Sequence, residues 1–165
     1  MVRTLPLNVL LSLCLALMVS CTVFPSTPAP TPVTTDPDPE FNAAVSQAHA
    51  TMQTVLRAML APDPSYTFVG VKVRFTGPSA YEDIWTEPVD YYNGVFTVEL
   101  VEGVTVDRGL HPERLVAVPL KEILDWMIVQ EDGTLLGGYT IRLAFERMTP
   151  EEKEEFLEIT GYVMD

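Results

Sequence analysis

The chain has 165 residues, 10 Lys and Arg against 23 Asp and Glu, and a formal net charge of −13. That balance excludes a basic patch of the kind that holds nucleic acid or anionic lipid headgroups. With two cysteines and two histidines in all, a disulfide framework or a dedicated metal centre is not expected, and no cofactor is implied.

Met1 to Ser20 carries one charge, Arg3, and then an apolar run through Leu10, Leu11, Leu13, Leu15 and Leu17, the layout of a secretory leader. A membrane-spanning helix needs roughly 20 apolar residues. Pro6, Asn8 and Ser12 interrupt this one, so it reads as a leader that is removed. The segment Leu17-Met18-Val19-Ser20-Cys21 resembles a bacterial lipoprotein signal, in which cleavage before the cysteine is followed by acylation of the new N-terminus. Ser20 and Cys21 fit that pattern, and Met18 stands where leucine is preferred. The resemblance implies fatty acyl chains such as palmitate on Cys21, and two or more of them anchor a protein stably. Cys14 leaves with the leader, so no disulfide forms within the mature chain. The membrane is then a partner through Cys21. The expected location is a cell membrane or outer membrane, with the domain facing the periplasm or exterior. Thr22 in place of Asp after the cysteine is compatible with the outer membrane of a two-membrane bacterium.

Residues 21–40 contain Pro25, Pro28, Pro30, Pro32, Pro37 and Pro39 among Ser, Thr and Asp. Proline has no amide hydrogen and a fixed φ, so this stretch reads as an extended tether. At about 3 Å per residue it reaches up to ~50 Å. Residues 41–165 form one domain's worth of chain, enough to bury a core without metal or disulfide support.

Within the domain, Phe41, Val45, Ala48, Met52, Val55, Leu56, Met59 and Leu60 recur at three- and four-residue steps, which predicts one helix over 41–60. Val69, Val71, Val73 and Phe75 alternate with Gly70, Lys72 and Arg74, the period of a strand buried on one face. Residues 81–89 form a second extended run, and Asn93-Gly94 supplies a tight hairpin turn into Val95–Val101. Glu102–Pro112 reads as a loop, Leu115–Pro119 and Ile123–Gln130 as strands. Glu131-Asp132-Gly133-Thr134 then reverses the chain into an expected strand over Leu135–Phe145, with Tyr139, Ile141, Leu143 and Phe145 on one face. Thr149-Pro150-Glu151-Glu152 is a capping box opening a short helix to about Ile159, with Phe156 and Ile159 facing inward. The fold class is α+β: an N-terminal helix on a twisted, mostly antiparallel sheet of about six strands, closed by a short C-terminal helix.

Six segments, Glu82-Asp83-Ile84-Trp85, Asn93-Gly94-Val95-Phe96, Val116-Ala117-Val118-Pro119, Asp125-Trp126-Met127, Gly137-Gly138-Tyr139-Thr140 and Thr149-Pro150-Glu151-Glu152, occur in one order over roughly residues 42–157. In order and spacing they resemble the bacterial family catalogued as domain of unknown function 2314. The resemblance implies a fold and no reaction. It departs at Asp83, where the family often carries histidine.

No HExxH, paired cysteines or Asp-rich calcium loop is present. His49 reads as lying on the polar side of its helix and His111 as lying in a loop. Gly137-Gly138 leads into an expected strand, whereas a phosphate cradle needs a helix N-terminus. The candidate binding surface is Trp85, Asp125, Trp126 and Tyr139, because amphipathic aromatics beside a charge are over-used in recognition. The reading favoured over it places both tryptophans in the core and has Asp125 cap a turn or pair with Lys121, Arg142 or Arg147. Together these features describe a membrane-tethered binding module, not an enzyme, whose partner is an envelope protein or ligand. The alternatives are an immunity-like inhibitor whose acidic surface blocks a basic toxin, and a hydrolase using carboxylates such as Glu82 and Asp125.

Overall fold

The computed structural model describes residues 36–106 and 110–164. The leader, Cys21 and the tether as far as residue 35 lie outside the described residues.

Asp38 caps the first helix, α1 (Pro39–Thr51), by accepting from the amides of Glu40 and Phe41, and Pro39 fills the first helical position. The single helix expected over 41–60 is two, because α2 (Gln53–Leu60) begins after a break at Met52. Trp126 Nε1 donates to the Ala48 carbonyl at 3.1 Å. The Met52 amide, which would ordinarily take that carbonyl, bonds instead to His49 O at 3.3 Å. A side chain inserted into the helical ladder bends it there.

Six strands follow: β1 (Tyr66–Thr76), β2 (Tyr81–Tyr92), β3 (Val95–Leu100), β4 (Leu115–Pro119), β5 (Ile123–Gln130) and β6 (Leu135–Gly137). They form one sheet in the order β4-β3-β2-β1-β5-β6, every neighbouring pair antiparallel. The long strand β1 therefore sits inside the sheet, between β2 and β5. Asn93 and Gly94 make the β2–β3 turn with φ of 50° and 83°, as a two-residue hairpin requires. Pairing of β1 with β2 stops at Val71↔Thr86, and Pro88, with no amide hydrogen to offer, stands just beyond it.

The apolar face of β1 carries Val71, Val73 and Phe75. It packs with Ile84, Phe96, Val98, Val118, Ile123, Trp126 and Ile128 of the neighbouring strands under Ala48, Met52, Val55 and Leu56 of the helices. At about 1.5–3 kcal/mol for each fully buried large aliphatic side chain, this layer is the main source of stability. The architecture is α+β, with helices against an antiparallel sheet.

The strand expected over Leu135–Phe145 is corrected: β6 ends at Gly137, and α3 (Tyr139–Glu146) follows. Gly137 and Gly138 adopt φ of 71° and 63°, left-handed values that end a strand. A Cβ on Gly137 would stand 2.4 Å from the Trp126 carbonyl oxygen. Tyr139, Ile141, Leu143 and Phe145 alternate as in a strand, yet the helix is selected by Asp125, which receives its first amides. The last helix, α4 (Pro150–Thr160), has both halves of the capping box, Glu152 N to Thr149 Oγ1 and Thr149 N to Glu152 Oε2. Phe156 packs between the rings of Phe145 and Tyr162. Ile159 does not face inward; it is 74% exposed.

Candidate functional site

The four candidate residues do not share one surface, and Trp126 lies in the core as the favoured reading has it. Trp126 is buried against α1, its ring edge-on to Tyr139 and its Nε1 also 3.1 Å from Thr51 Oγ1. Thr51 Oγ1 in turn bonds Tyr139 Oη at 2.9 Å. These two aromatics tie α1 to α3 and β5.

Asp125 is fully buried. Its Oδ2 accepts from Thr140 N at 2.7 Å and Thr140 Oγ1 at 2.8 Å, and its Oδ1 from Trp126 N at 2.8 Å. Burial pushes its carboxyl above the usual range, against the pull of these donors. The glycine pair thus does open a helix N-terminus, contrary to expectation, but the anion there is the chain's own Asp125.

Trp85 is half-buried and shares a row across the sheet with Lys72 and Asp125, since Lys72 faces Trp85 on one side and Asp125 on the other. Lys72 Nζ stands 5.7 Å from the centre of the Trp85 ring and 3.4 Å from Thr140 Oγ1. Burial lowers its pKa, while Asp83 and Asp125 act to raise it. Glu82 faces Phe75, three residues along β1 from Lys72, so Glu82 and Asp125 project from opposite faces of the sheet. Glu82 instead holds the loop after β3 through Thr105 N and Oγ1, which draw its pKa down. The two cannot flank one bond as acid and base.

A cleft of about 340 Å³ opens elsewhere, between α1 and the ends of β1 and β5. Helix α1 contributes Phe41, Asn42, Val45, Ser46 and His49, residues that recur on one side of its turns. The strand side supplies Arg74, Ile123 and Leu124, Lys121 comes from the short turn before β5, and Asp36 closes one end. His49 is half-buried, not on an outer polar side, and its Nε2 donates to Ile123 O at 2.6 Å.

Arg74 organises the cleft. Only 5% of its side chain is exposed, and its Nε and Nη2 grip Asp83 of β2 in a bidentate pair at 2.7 and 2.8 Å. Its remaining nitrogen, Nη1, lies 3.2 Å from Asp36 Oδ2. Tyr81 stacks on the guanidinium at 3.9 Å, and Phe41 lies at 5.4 Å. Asp83 and Asp36 hold it charged throughout the biological pH range.

Little in the sequence announces this site. Its one signal is Lys72 and Arg74 on the non-core side of β1, two cations close together in an acidic chain.

Among the described residues, no group of three or more His, Cys, Asp or Glu side chains is placed to hold a metal. Among the same residues no helix is long and apolar enough to cross a membrane. Neither a curated protein nor a solved structure matches the chain. The pattern of one bacterial family does match, over residues 38–163, which takes in the cleft except Asp36 and all six strands. The chain belongs to that family, DUF2314, described as an uncharacterized protein conserved in bacteria.

Proposed function

We propose that this chain is a binding module of the cell envelope, held to a membrane through acylated Cys21, that takes a small ligand in the Arg74 cleft. One observation carries the reading: a buried arginine with apolar neighbours lines a cavity within the ~300–1,000 Å³ typical of ligand sites. Phe41, Val45, Ile123 and Leu124 offer apolar contact, and Asn42, Ser46, Lys121 and Arg74 offer a few polar handles. Such a mixture suits recognition. The carboxylates considered for hydrolysis stand on opposite faces of the sheet, which favours binding over catalysis. The inhibitor reading rests on charge alone.

Two experiments test the proposal. In native mass spectrometry after exposure to envelope extract, the mature protein should carry an adduct below about 1 kDa, the range of small-molecule sites. A cleft-filling Val45→Trp variant should lose it. No adduct, or one that survives Val45→Trp, defeats the cleft assignment. Separately, Cys21→Ser should move the protein from the membrane to the soluble fraction, and continued sedimentation with membranes would remove the anchor.

A further inference from the structure

We infer that the ligand of this cleft bears a carboxylate beside an apolar group, and that Asp36 is its internal stand-in, resting on Arg74 until the ligand displaces it. The inference builds on the reading of the cleft as a binding site. Two carboxylates share the one guanidinium, and their holds are unequal. Asp83 is register-paired with Arg74 across β1 and β2 and takes two nitrogens at 2.7 and 2.8 Å. Asp36 takes the third through a single bond at 3.2 Å. A bidentate pair fixed by a sheet is the permanent partner, and a single longer bond from the segment before a helix is the exchangeable one.

Displacing Asp36 does not require unfolding anything. Helix α1 is capped by Asp38, which accepts from Glu40 and Phe41 and is paired with Arg147 Nη1 at 2.6 Å. Asp36 contributes an Asx-type bond to the Asp38 amide at 3.0 Å and a carbonyl to Asn42 Nδ2 at 2.6 Å. When it leaves, Asn42 Nδ2 loses its acceptor, and Asn42, Arg74 and Lys121 all line the cleft. These are donors suited to an incoming carboxylate. Phe41, Val45 and Leu124 would receive its apolar part.

Charge decides between anions. Arg74 with Asp83 and Asp36 already carries one more negative than positive charge, so exchange is neutral only when a monoanion replaces a monoanion. A phosphate dianion would add a second negative charge beside Asp83. The fitting class is thus a monocarboxylate with an apolar substituent, such as a free peptide C-terminus.

Because Asp36 is a competitor tethered within the same molecule, its effective concentration is high and it lowers apparent affinity for the ligand. The test is titration of the lipidated mature chain in detergent with N-acetyl-leucine, its amide and inorganic phosphate, followed by calorimetry. Asp36→Asn should bind the acid about tenfold more tightly than wild type, the scale of one charge-assisted hydrogen bond removed from competition. Neither the amide nor phosphate should bind either form. Circular dichroism should show the same fold for both, since Asp38 still caps α1. Unchanged affinity in Asp36→Asn, equal binding of acid and amide, tighter binding of phosphate, or no binding of the acid at all would overturn the stand-in role. The cleft itself is judged by the separate mass-spectrometry experiment, where no envelope adduct, or one that survives Val45→Trp, defeats it, so the two failures are distinguishable.

Discussion

Trp126 on β5 donates its indole N–H to the carbonyl of Ala48 in the last turn of α1, across 78 residues of chain. This one bond sets where the first helix breaks, and so how α1 and α2 share the sheet beneath them. It also leaves Trp126 no exposed face with which to bind anything. A Trp126→Phe variant keeps most of the ring and loses the donor. We expect it to be destabilised by about 1–3 kcal/mol, from the lost bond and the smaller ring, read by urea denaturation. The Met52 amide should gain hydrogen-exchange protection as it recovers the Ala48 carbonyl. A variant as stable as wild type would show that the bond does not hold the break.

Asp125 does for α3 what a cap normally does, but from another strand. Asp125→Ala leaves Thr140 N and Trp126 N buried without their acceptor and should cost about 1–3 kcal/mol for each donor so left. Asp125→Asn keeps an acceptor oxygen and should cost less. Chemical denaturation of the two variants gives the comparison, and equal losses would count against the cap.

Glu122 is 4% exposed, and its Oε2 has no hydrogen-bond partner among the described residues. Burial raises its pKa, with Lys121 opposing. A carboxyl whose folded pKa lies above its unfolded value destabilises the fold where it is ionised. The penalty is full above the folded pKa, shrinks as pH falls through it, and vanishes below the unfolded value. Glu122→Gln should therefore raise stability near neutral pH, by about 1–3 kcal/mol for a relieved buried group. That gain should fade on acidification toward pH ~4. Thermal melts of both proteins from pH 8 to pH 4 check it; a pH-independent difference would sink the assignment.

Two glycines with positive φ should respond differently to alanine. Gly94, at φ 83°, has nothing within 4 Å of an added Cβ, so Gly94→Ala meets only backbone strain of about 1 kcal/mol. Gly137 meets the Trp126 carbonyl oxygen as well, and Gly137→Ala should lose at least about 2 kcal/mol more as the β6–α3 corner shifts. Equal melting temperatures for the two variants would contradict the close approach at Gly137.

Much of the fold was legible residue by residue. The capping box at Thr149, the Asn93-Gly94 hairpin and the alternation of Val71, Val73 and Phe75 are all present in the structure as the sequence pattern predicts. Each depends on neighbours a few positions away, so local pattern suffices. Ile159 faces solvent, not the body, because a helical period says which residues share a face and not which face meets the core.

Composition and local spacing therefore settled the class of fold, most of its strands and the start of its last helix, since propensity, turn chemistry and periodicity act over short stretches of chain. Folding in three dimensions decided the rest: the helix at Tyr139 rather than a strand, the break at Met52, the use of Asp125 as the cap of that helix, and the meeting of Arg74 with Asp36. These turn on hydrogen bonds and charges between residues 15 to 78 positions apart. Such partners are chosen by the packing of the sheet, and no periodicity in the chain announces them.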